Sequence, residues 1–445
     1  MNRWNYAVEY MKTTIIQFCF RFLFAVTLIG AIAGLIIIIL QIRKLNKSGL
    51  AICLEKNASG ILFGMIGPFV VCSPEKEETH VGVWGGSGTG KTRSIVLPTI
   101  HHWGRGNTVF TIDISGDISS NLRGSNNIIY RPAHSTIPYS PLYEVDIAKG
   151  RSNKRKALDN LVDVLMPPKE NNRNENFYYD SGRQILKSAF YVLYPRGLDF
   201  CEICRKICMM SPEEFKHLVR LSNNEDAIMC ITSLSDTQGT TFASCKLEAE
   251  NAVRLFAVDE DLSQTVRRPE KNEQYIVPEV LERWNLHLVV SESENRMYHD
   301  LLHMITGQCF QYAFIRKLYP TNKILFCLDE FSSLGFLDIE RPLDKFRKTG
   351  NRIIILAQSP LHVDIAYTTL HRRAMTENLR MQVIMECNDA STQKELFDRM
   401  GTPCRWPISK APRIKEPKNL ASMGDYVCLL FPGGSMLLKK IRKGI

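Results

Sequence analysis

The sequence lacks the compositional extremes that mark disordered, fibrous or disulfide-framed proteins. Apolar residues make up 44% and charged residues 23% of the 445 residues, as in an ordinary globular chain. The 13 cysteines are an odd number, and most stand inside apolar runs such as "ILFCLDE", so we expect no disulfide framework. We find no internal repeat. These absences favour a globular protein of a reducing cytosol, with two or three domains.

An excess of acidic residues is also missing. Lys and Arg number 56 against 46 Asp and Glu, a formal net charge of +10. This balance favours polyanionic partners, either nucleic acid or an acidic membrane face. A basic surface without a specific partner fits the charge equally well.

One stretch near the start has no charge at all. Phe22 to Leu40, "FLFAVTLIGAIAGLIIIIL", is 19 residues long and would span about 28 Å as a helix, close to the hydrocarbon thickness of a bilayer. No small-residue cleavage site follows, which favours a retained anchor over a removed signal peptide. We therefore predict a single transmembrane helix at about 22–40 within an anchor segment 1–47.

A glycine-rich segment fits the phosphate-binding loop G-x-x-x-x-G-K-[ST]. "HVGVWGG" reads as a strand that runs into the loop, and a helix follows it. The glycines let backbone N–H groups converge on phosphate oxygens, Lys91 reaches the terminal phosphates, and the Thr92 hydroxyl holds Mg²⁺. Since ATP is cytosolic, the segment after the anchor is expected in the cytosol. The predicted ATP-binding residues are Gly85, Gly86, Ser87, Gly88, Thr89, Gly90, Lys91 and Thr92.

Acidic residues to complete such a site follow a later apolar strand. In "ILFCLDE", Asp329 is predicted to bind Mg²⁺ through water, and Glu330 to polarise the attacking water. Asp113, after "TVFTI", is either a further acid near the phosphates or a turn cap.

Three more polar residues are candidates for the same chemistry. Gln358, at the end of "RIIILAQ", either senses the γ-phosphate or is a plain strand-end amide. Arg347 and Lys348, in "KFRKTGNR", either stabilise transferring phosphate in a neighbouring subunit or lie on a solvated helix face.

Short apolar strands ending in polar residues predict an α/β fold with a buried, mostly parallel sheet and functional side chains at the carboxyl ends of its strands. Because Lys91 and Asp329 are far apart in the chain, we predict an insertion, and helical periodicity and a capping box at Ser211 and Glu214 make it all-α. The predicted division is a nucleotide-binding domain in two parts, 48–150 and 281–445, separated by an all-α insertion domain, 151–280. The candidate strands are "HVGVW", "NTVFTID", "LHLVVSE", "KILFCLDE", "NRIIILAQS" and "MQVIME", with "ILFGMIGPFVVC" as further strands and a turn.

Two groups of residues have spacings typical of metal sites but give little support for a bound metal. His299 and His303 have the i, i+4 spacing of a zinc protease helix, but Asp300 stands where that chemistry uses Glu. A C-x-x-C pattern occurs at Cys201 and Cys204, with Cys208 beyond, and no second pair follows it. We interpret both groups as buried helix residues.

These motifs together resemble the type IV coupling proteins, the membrane-bound ATPases of conjugation and type IV secretion. The resemblance covers most of the chain after the anchor. "GGSGTGKTRSIVLPTI" is similar to the family's loop and helix, and "YSPL" resembles its "YNPL". "CLDEFSSLG" is similar to its "DEF-x-x-LG" and is followed by an Arg-Lys-x-Gly turn and a strand ending "AQS". Ser115, in "DISGDI", replaces a lysine of the family pattern.

The resemblance implies a RecA-like hexameric motor with an all-α insertion that recognises cargo, mounted at the bacterial inner membrane beneath a secretion channel. By this resemblance Lys91 and Thr92 bind nucleotide and Mg²⁺, and Asp329 and Glu330 complete hydrolysis. Gln358 senses phosphate, and Arg347 is the finger that acts in trans. The family usually has two membrane helices, whereas one is visible in this sequence.

The function that follows is an ATP-driven coupling motor that delivers single-stranded DNA with a bound relaxase to a type IV channel. Transport of protein effectors is the alternative within the same fold, and chromosome-segregating DNA pumps are close rivals that lack the "DEF-x-x-LG" context. A scaffold with a dead nucleotide site is disfavoured because Lys91, Thr92, Asp329 and Glu330 are all present. A signalling GTPase is disfavoured because no N-K-x-D guanine reader occurs.

Overall fold

A computed structural model describes residues 39–169, 176–235, 239–316, 322–401, 403 and 411–442, together with Ile32 and Ile36. Its centre is one twelve-stranded sheet with the strand order β1-β3-β2-β12-β11-β10-β4-β9-β8-β5-β7-β6. The strands are β1 Ala51–Leu54, β2 Ile61–Ile66, β3 Phe69–Ser73, β4 Val81–Trp84, β5 Thr108–Asp113, β6 Asn127–Tyr130, β7 Asn285–Val289, β8 Ile324–Leu328, β9 Arg352–Ala357, β10 Met381–Ile384, β11 Tyr426–Phe431 and β12 Gly434–Lys439.

Seven of these strands, from β10 to β6 in the sheet order, are parallel to one another. The other five extend the sheet by antiparallel pairing beyond β10. The fold is therefore an α/β fold on a mostly parallel, mixed sheet, as predicted. All six strands predicted around the site lie in the parallel part. They are mostly apolar and largely buried because both faces of the sheet are covered.

Helices account for most of the remaining described chain. Helix α1 covers 39–47, and a π-helical turn, Thr92–Val96, continues into α2. Several short 3-10 turns join the other elements. The remaining helices are α2 Leu97–His101, α3 Tyr143–Ile147, α4 Arg151–Leu165, α5 Phe177–Leu193, α6 Phe200–Met209, α7 Pro212–Leu221, α8 Glu225–Ser235, α9 Gly239–Val258, α10 Glu260–Thr265, α11 Glu292–Asn295, α12 His299–Ile315, α13 Glu340–Lys345, α14 Thr369–Asn378 and α15 Ala390–Met400.

Helices α3 to α10 all lie between β6 and β7, where the sequence predicts helical segments. The predicted helix start at Ser211 is confirmed, because its side chain and that of Glu214 form a reciprocal capping box at the start of α7. The hydrophobic core of α4 to α9 is continuous with one face of the sheet. The opposite face of β4, β8 and β9 packs against Ile95, Val96 and Leu97 of the helix that leaves the glycine-rich loop.

A buried arginine fixes the entry to β4. Arg352, the first residue of β9, is fully buried and donates hydrogen bonds to Ser73, Pro74 and Thr79 in the linker between β3 and β4. Five neutral acceptors satisfy the guanidinium, although its burial lowers the pKa of Arg352 to about 9. The linker is thereby tied to β9, and β4 enters the sheet with Val81 opposite Ile354.

No helix among the described residues is long and apolar enough to cross a membrane. The predicted membrane helix at 22–40 lies mostly outside those residues.

Candidate functional site

The glycine-rich loop from Gly85 to Thr92 follows the carboxyl end of β4 and is held by both neighbouring strands. The Gly85 N–H donates to the carbonyl of Ala357 at the end of β9, at 3.2 Å. The Gly86 N–H donates to the carbonyl of Glu386, just beyond β10, at 3.0 Å. A Cβ atom at Gly85 would lie 2.7 Å from Met385 Cβ, so the close approach of these chains requires glycine there.

Lys91 points back over this loop. Its Nζ atom donates to the carbonyls of Gly85 at 2.9 Å and of Gly86 at 3.4 Å. It also lies 3.6 Å from Glu330 Oε1, and the lysine side chain is only 6% exposed. Gly90, just before it, has φ +87°, a left-handed conformation that glycine adopts without strain. The loop thus presents a buried cation whose hydrogen-bond partners are backbone carbonyls.

Asp329 and Glu330 follow β8, which is separated from β4 only by β9. Asp329 is 2% exposed, and burial, Glu330 and Asp113 raise the pKa of its carboxyl to about 6. Glu330 has φ +45°, which is rare for a residue with a side chain, and is partly exposed. This turn aims the Glu330 carboxylate at Lys91 while Asp329 stays buried beneath it.

Gln358 follows β9 directly and is exposed, between the ends of β4 and β8. The structure therefore brings together Gly85 to Thr92, Asp329, Glu330 and Gln358 at one edge of the sheet. Arg347 is not among them. It precedes β9, and its charge helps to lower the pKa of His80, which precedes β4. Arg347 thus lies at the opposite, amino-terminal edge of the sheet of its own chain.

Asp113 acts as a turn cap. Its carboxylate accepts hydrogen bonds from the N–H groups of Ser119 at 2.7 Å and Ile118 at 3.4 Å. Ser115 lies between the two aspartates, with Oγ 3.4 Å from Asp329 Oδ2 and 3.5 Å from Asp113 Oδ1. The serine thus gives the buried acids a neutral donor.

The side chains at the carboxyl edge of the parallel strands suit a nucleoside triphosphate and Mg²⁺. Glycine N–H groups and a lysine suit phosphate oxygens, while carboxylate and hydroxyl oxygens suit a hard divalent cation. Burial and the neighbouring Glu330 and Asp113 carboxylates raise the pKa of Asp329, and a bound divalent cation would offset this repulsion. Thr92 lies one residue beyond Lys91, and its side chain makes no hydrogen bond to the described residues.

Residues 65–403 match the family model described as the type IV secretion-system coupling protein DNA-binding domain. The chain belongs to this family. No match was found among curated protein sequences.

Solved coupling-protein structures share the fold. The bacterial conjugative coupling protein TrwBdeltaN70 in its unbound form has a TM-score of 0.69 and 17% identity, over 87% of this chain and 89% of that one. The plasmid coupling protein TrwB in complex with ADP and Mg²⁺ has a TM-score of 0.69 and 16% identity, over 87% and 90%. VirB4 of Thermoanaerobacter pseudethanolicus has a TM-score of 0.51 and 12% identity, over 87% and 98%.

The metal-like patterns of this coupling protein have structural explanations. Desolvation of the partly buried His303 ring lowers its pKa to about 4, so the neutral ring donates from Nε2 to the carbonyl of Leu334. Cys201 and Cys204 are buried on α6, and the Cys201 thiol donates to the carbonyl of Val266. Among the described residues no group of three or more potential ligands is placed to hold a metal ion. The helix positions are as predicted, but burial holds only for Cys201 and Cys204, because His299, His303 and Cys208 are partly exposed.

Sequence reasoning missed the residues that support the acidic turn. Asn295 Nδ2 donates to the carbonyl of Ser333 at 2.9 Å, and His303 holds Leu334. Both bonds end on backbone carbonyls that are more than 30 residues away along the chain. Such contacts leave no pattern in the sequence, although the paired histidines of α12 drew attention to His303.

We predict different defects for Lys91→Ala and Glu330→Gln. Removal of the loop cation should abolish nucleotide binding, whereas the glutamine keeps the loop intact and should bind ATP but hydrolyse it at least about a hundredfold more slowly. Equilibrium binding of a fluorescent nucleotide and steady-state phosphate release separate the two defects. Lys418→Ala removes an exposed lysine outside the loop that pairs with Glu416, and it serves as the control. Unchanged turnover in either site variant would refute the site.

Asp329 should make the stability of the nucleotide-free protein depend on pH. Because its folded-state pKa is raised to about 6, its contribution is fully present below the unfolded-state value near 4 and is lost as the pH rises through 6. Asp329→Asn should therefore be more stable than the wild type at pH 8, by on the order of 2–3 kcal/mol, and the gain should shrink at pH 5. Urea unfolding in the presence of EDTA measures the free energy of unfolding of both proteins at pH 8 and pH 5. An asparagine variant that is less stable than the wild type at pH 8 would contradict the raised pKa of Asp329.

Proposed function

We propose that this coupling protein is a membrane-anchored ATPase that moves single-stranded DNA, with its bound relaxase, into a type IV secretion channel. The observation that carries the proposal is the approach of Lys91 to Glu330, 3.6 Å apart, across three neighbouring parallel strands. It joins a phosphate-binding loop to an acidic turn, which is the arrangement that nucleotide hydrolysis needs.

The residues at this edge have separate roles in the proposed reaction. ATP supplies the bond that is cleaved, and Mg²⁺ neutralises charge on its phosphate oxygens. Lys91 would leave the carbonyls of Gly85 and Gly86 to bind phosphate, and Thr92 would hold the metal through its hydroxyl. Asp329 would orient the metal-bound water, Glu330 would polarise the attacking water, and Gln358 would sense the γ-phosphate.

The membrane anchor rests on exposed apolar residues of the helix that includes α1. Ile32, Ile36, Ile39 and Leu40 are 50%, 51%, 42% and 56% exposed. Large exposed apolar residues on one helix suit contact with lipid or another apolar surface. The helix ends against the nucleotide-binding domain, where Leu45 and Leu50 are buried. We propose that it continues into a single span of the bacterial inner membrane, with the ATPase in the cytoplasm.

The DNA cargo is favoured by the matched family and by the charge. The family model describes a DNA-binding domain, and the formal net charge of +10 suits a phosphate backbone. We further propose that helices α3 to α10 form the insertion domain, 151–280, that contacts the cargo, while 48–150 and 281–445 form the RecA-like domain.

Stimulation of ATP hydrolysis by single-stranded DNA tests this function. We expect purified protein with Mg²⁺ to turn over ATP faster when oligonucleotide is added, and the stimulation to fall steeply between 50 and 200 mM NaCl as phosphate contacts weaken. Heparin, a polyanion without bases, is the control for charge alone. Turnover that is indifferent to DNA at low salt would contradict DNA as the cargo and leave protein effectors.

Arg347 supports the proposal of a ring of six subunits. Its Nε atom is buried and has no hydrogen-bond partner among the described residues. Since Arg347 lies at the edge of the sheet opposite its own phosphate loop, it would reach nucleotide only in a neighbouring copy. Cations supplied in this way accelerate phosphoryl transfer by about 10³–10⁵.

Arg347→Ala should therefore act dominantly when it is mixed with wild-type subunits. We expect the ATPase activity of mixed rings to fall below the wild-type fraction, because each variant subunit also disables a neighbour. The variant is titrated into a fixed amount of wild type, and phosphate release measures the ATPase activity at each wild-type fraction. Lys345→Ala, which removes an exposed cation two residues away, should follow simple dilution. Activity strictly proportional to the wild-type fraction would exclude the role in trans.

A further inference from the structure

The turn that carries Glu330 continues into a short 3-10 helix, Phe331–Leu334, and then into a loop through Leu337. Glu330 has positive φ, a backbone conformation that is unfavourable for a residue with a side chain and needs support from its surroundings. Asn295 and His303 fix the carbonyls of Ser333 and Leu334 from one side. The other side of the turn is held by a residue from a different part of the chain.

That residue is Tyr367, which is 4% exposed and precedes α14. Its hydroxyl accepts a hydrogen bond from the Leu337 N–H at 3.0 Å and donates one to the Leu337 carbonyl at 2.8 Å. Burial raises the pKa of Tyr367 above its usual value, so the phenol keeps the proton that it donates. One side chain therefore satisfies both backbone groups of a loop residue.

The ring of Tyr367 also packs against two aromatic side chains of the same loop. It stacks on Phe331 with ring centroids 5.4 Å apart and an interplanar angle of 18°, and it contacts Phe336 at 5.2 Å. Phe331 is the residue directly after Glu330 and is fully buried. Displacement of this ring would free the residue on which the conformation of Glu330 depends.

Tyr367 also belongs to the segment that follows Gln358. Between them lies the 3-10 helix Leu361–Ile365, whose last turn is bonded to Tyr367 through the carbonyl of Val363. A second link joins the same two segments, because the His371 ring contacts both Glu340 and Phe336. The segments that leave β8 and β9 are thus fastened to each other just beyond the site.

We propose that Tyr367 is a positioning residue that clamps the turn carrying Glu330 and joins it to the segment that follows Gln358. This inference rests on the proposed ATPase. Tyr367 touches no reacting atom, so it acts on turnover through Glu330 and leaves the phosphate loop unaffected.

Two substitutions separate the hydroxyl from the ring. Tyr367→Phe removes both hydrogen bonds to Leu337 and keeps the ring stack on Phe331. Tyr367→Leu removes the hydrogen bonds and the ring stack. We expect kcat for ATP to fall about tenfold in the first and further in the second, because small displacements of catalytic groups carry large losses in rate. The Kd for a non-hydrolysable ATP analogue should stay within about twofold, since the hydrogen bonds and ring contacts of the Tyr367 side chain are to Leu337, Phe331 and Phe336. Tyr191→Phe, which removes a hydroxyl bond to Asp159 in the helical region, should change neither value.

The Glu330→Gln background shows whether Tyr367 acts through Glu330. In that background Tyr367→Phe should cause no further loss of kcat, because effects of residues that act as one unit are not additive. An equal loss in both backgrounds, an unchanged kcat in Tyr367→Phe, or a parallel loss of nucleotide affinity would each overturn the proposal.

Amide hydrogen exchange tests the clamp without reference to hydrolysis. In full-length, nucleotide-free protein, exchange of residues 331–337 should be faster in Tyr367→Phe than in wild type, while residues 85–92 keep their rates. Unchanged exchange at 331–337 overturns the clamp. A wild-type protein that does not turn over ATP would contradict the proposed function, and this exchange result would still decide the role of Tyr367.

Discussion

The phosphate loop is held in place by two backbone hydrogen bonds to the strands on either side of β4. Gly85 is bonded to Ala357 and Gly86 to Glu386, so the loop cannot shift without disturbing the ends of both β9 and β10. Parallel pairing fixes which residues meet, since Trp84 lies opposite both Ala357 and Ile384. Because β8 is the next strand beyond β9, the acidic turn at its end falls within reach of Lys91. The geometry of the whole site follows from this strand order.

The turn that carries Asp329 and Glu330 lowers the stability of the folded protein. Asp329 is a buried carboxylate with two acidic neighbours, and Glu330 adopts a backbone conformation that favours glycine. Both features oppose folding in the absence of a bound cation. They persist because the surrounding contacts determine the turn: Asp329 N–H donates to the carbonyl of Ile112 on β5, and the bonds from Asn295 and His303 hold the residues that follow. We interpret the strain as preparation for a metal and a phosphate group.

The sequence predicted the parts of this fold that depend on local pattern. Apolar runs ending in polar residues identified β4, β5, β7, β8, β9 and β10, and the glycine spacing located the loop. The short strand β6 was missed because only three apolar residues, Ile128, Ile129 and Tyr130, mark it in the sequence. The antiparallel extension formed by β11 and β12 was also not predicted, since its pairing with β10 depends on contacts between distant segments.

The positions of the site residues were predictable only where a motif names them. Lys91, Asp329 and Glu330 fall where the motif places them, but the hydrogen bonds that hold the loop and the turn end on carbonyls of Ala357, Glu386, Ser333 and Leu334. A carbonyl is common to every residue, so these contacts have no sequence signature. The placement of Arg347 at the opposite edge likewise required the direction of β9 and its position in the sheet.

The most direct test is a structure of the protein with ADP, beryllium fluoride and Mg²⁺. Our account predicts the fluoride in the loop between Gly85 and Thr92, with Lys91 Nζ moved from the carbonyls of Gly85 and Gly86 onto it. It further predicts Mg²⁺ on the Thr92 hydroxyl, and the Asp329 and Glu330 carboxylates on the same side of the fluoride. A nucleotide bound elsewhere, or a bound fluoride with Glu330 turned away from it, would contradict the account.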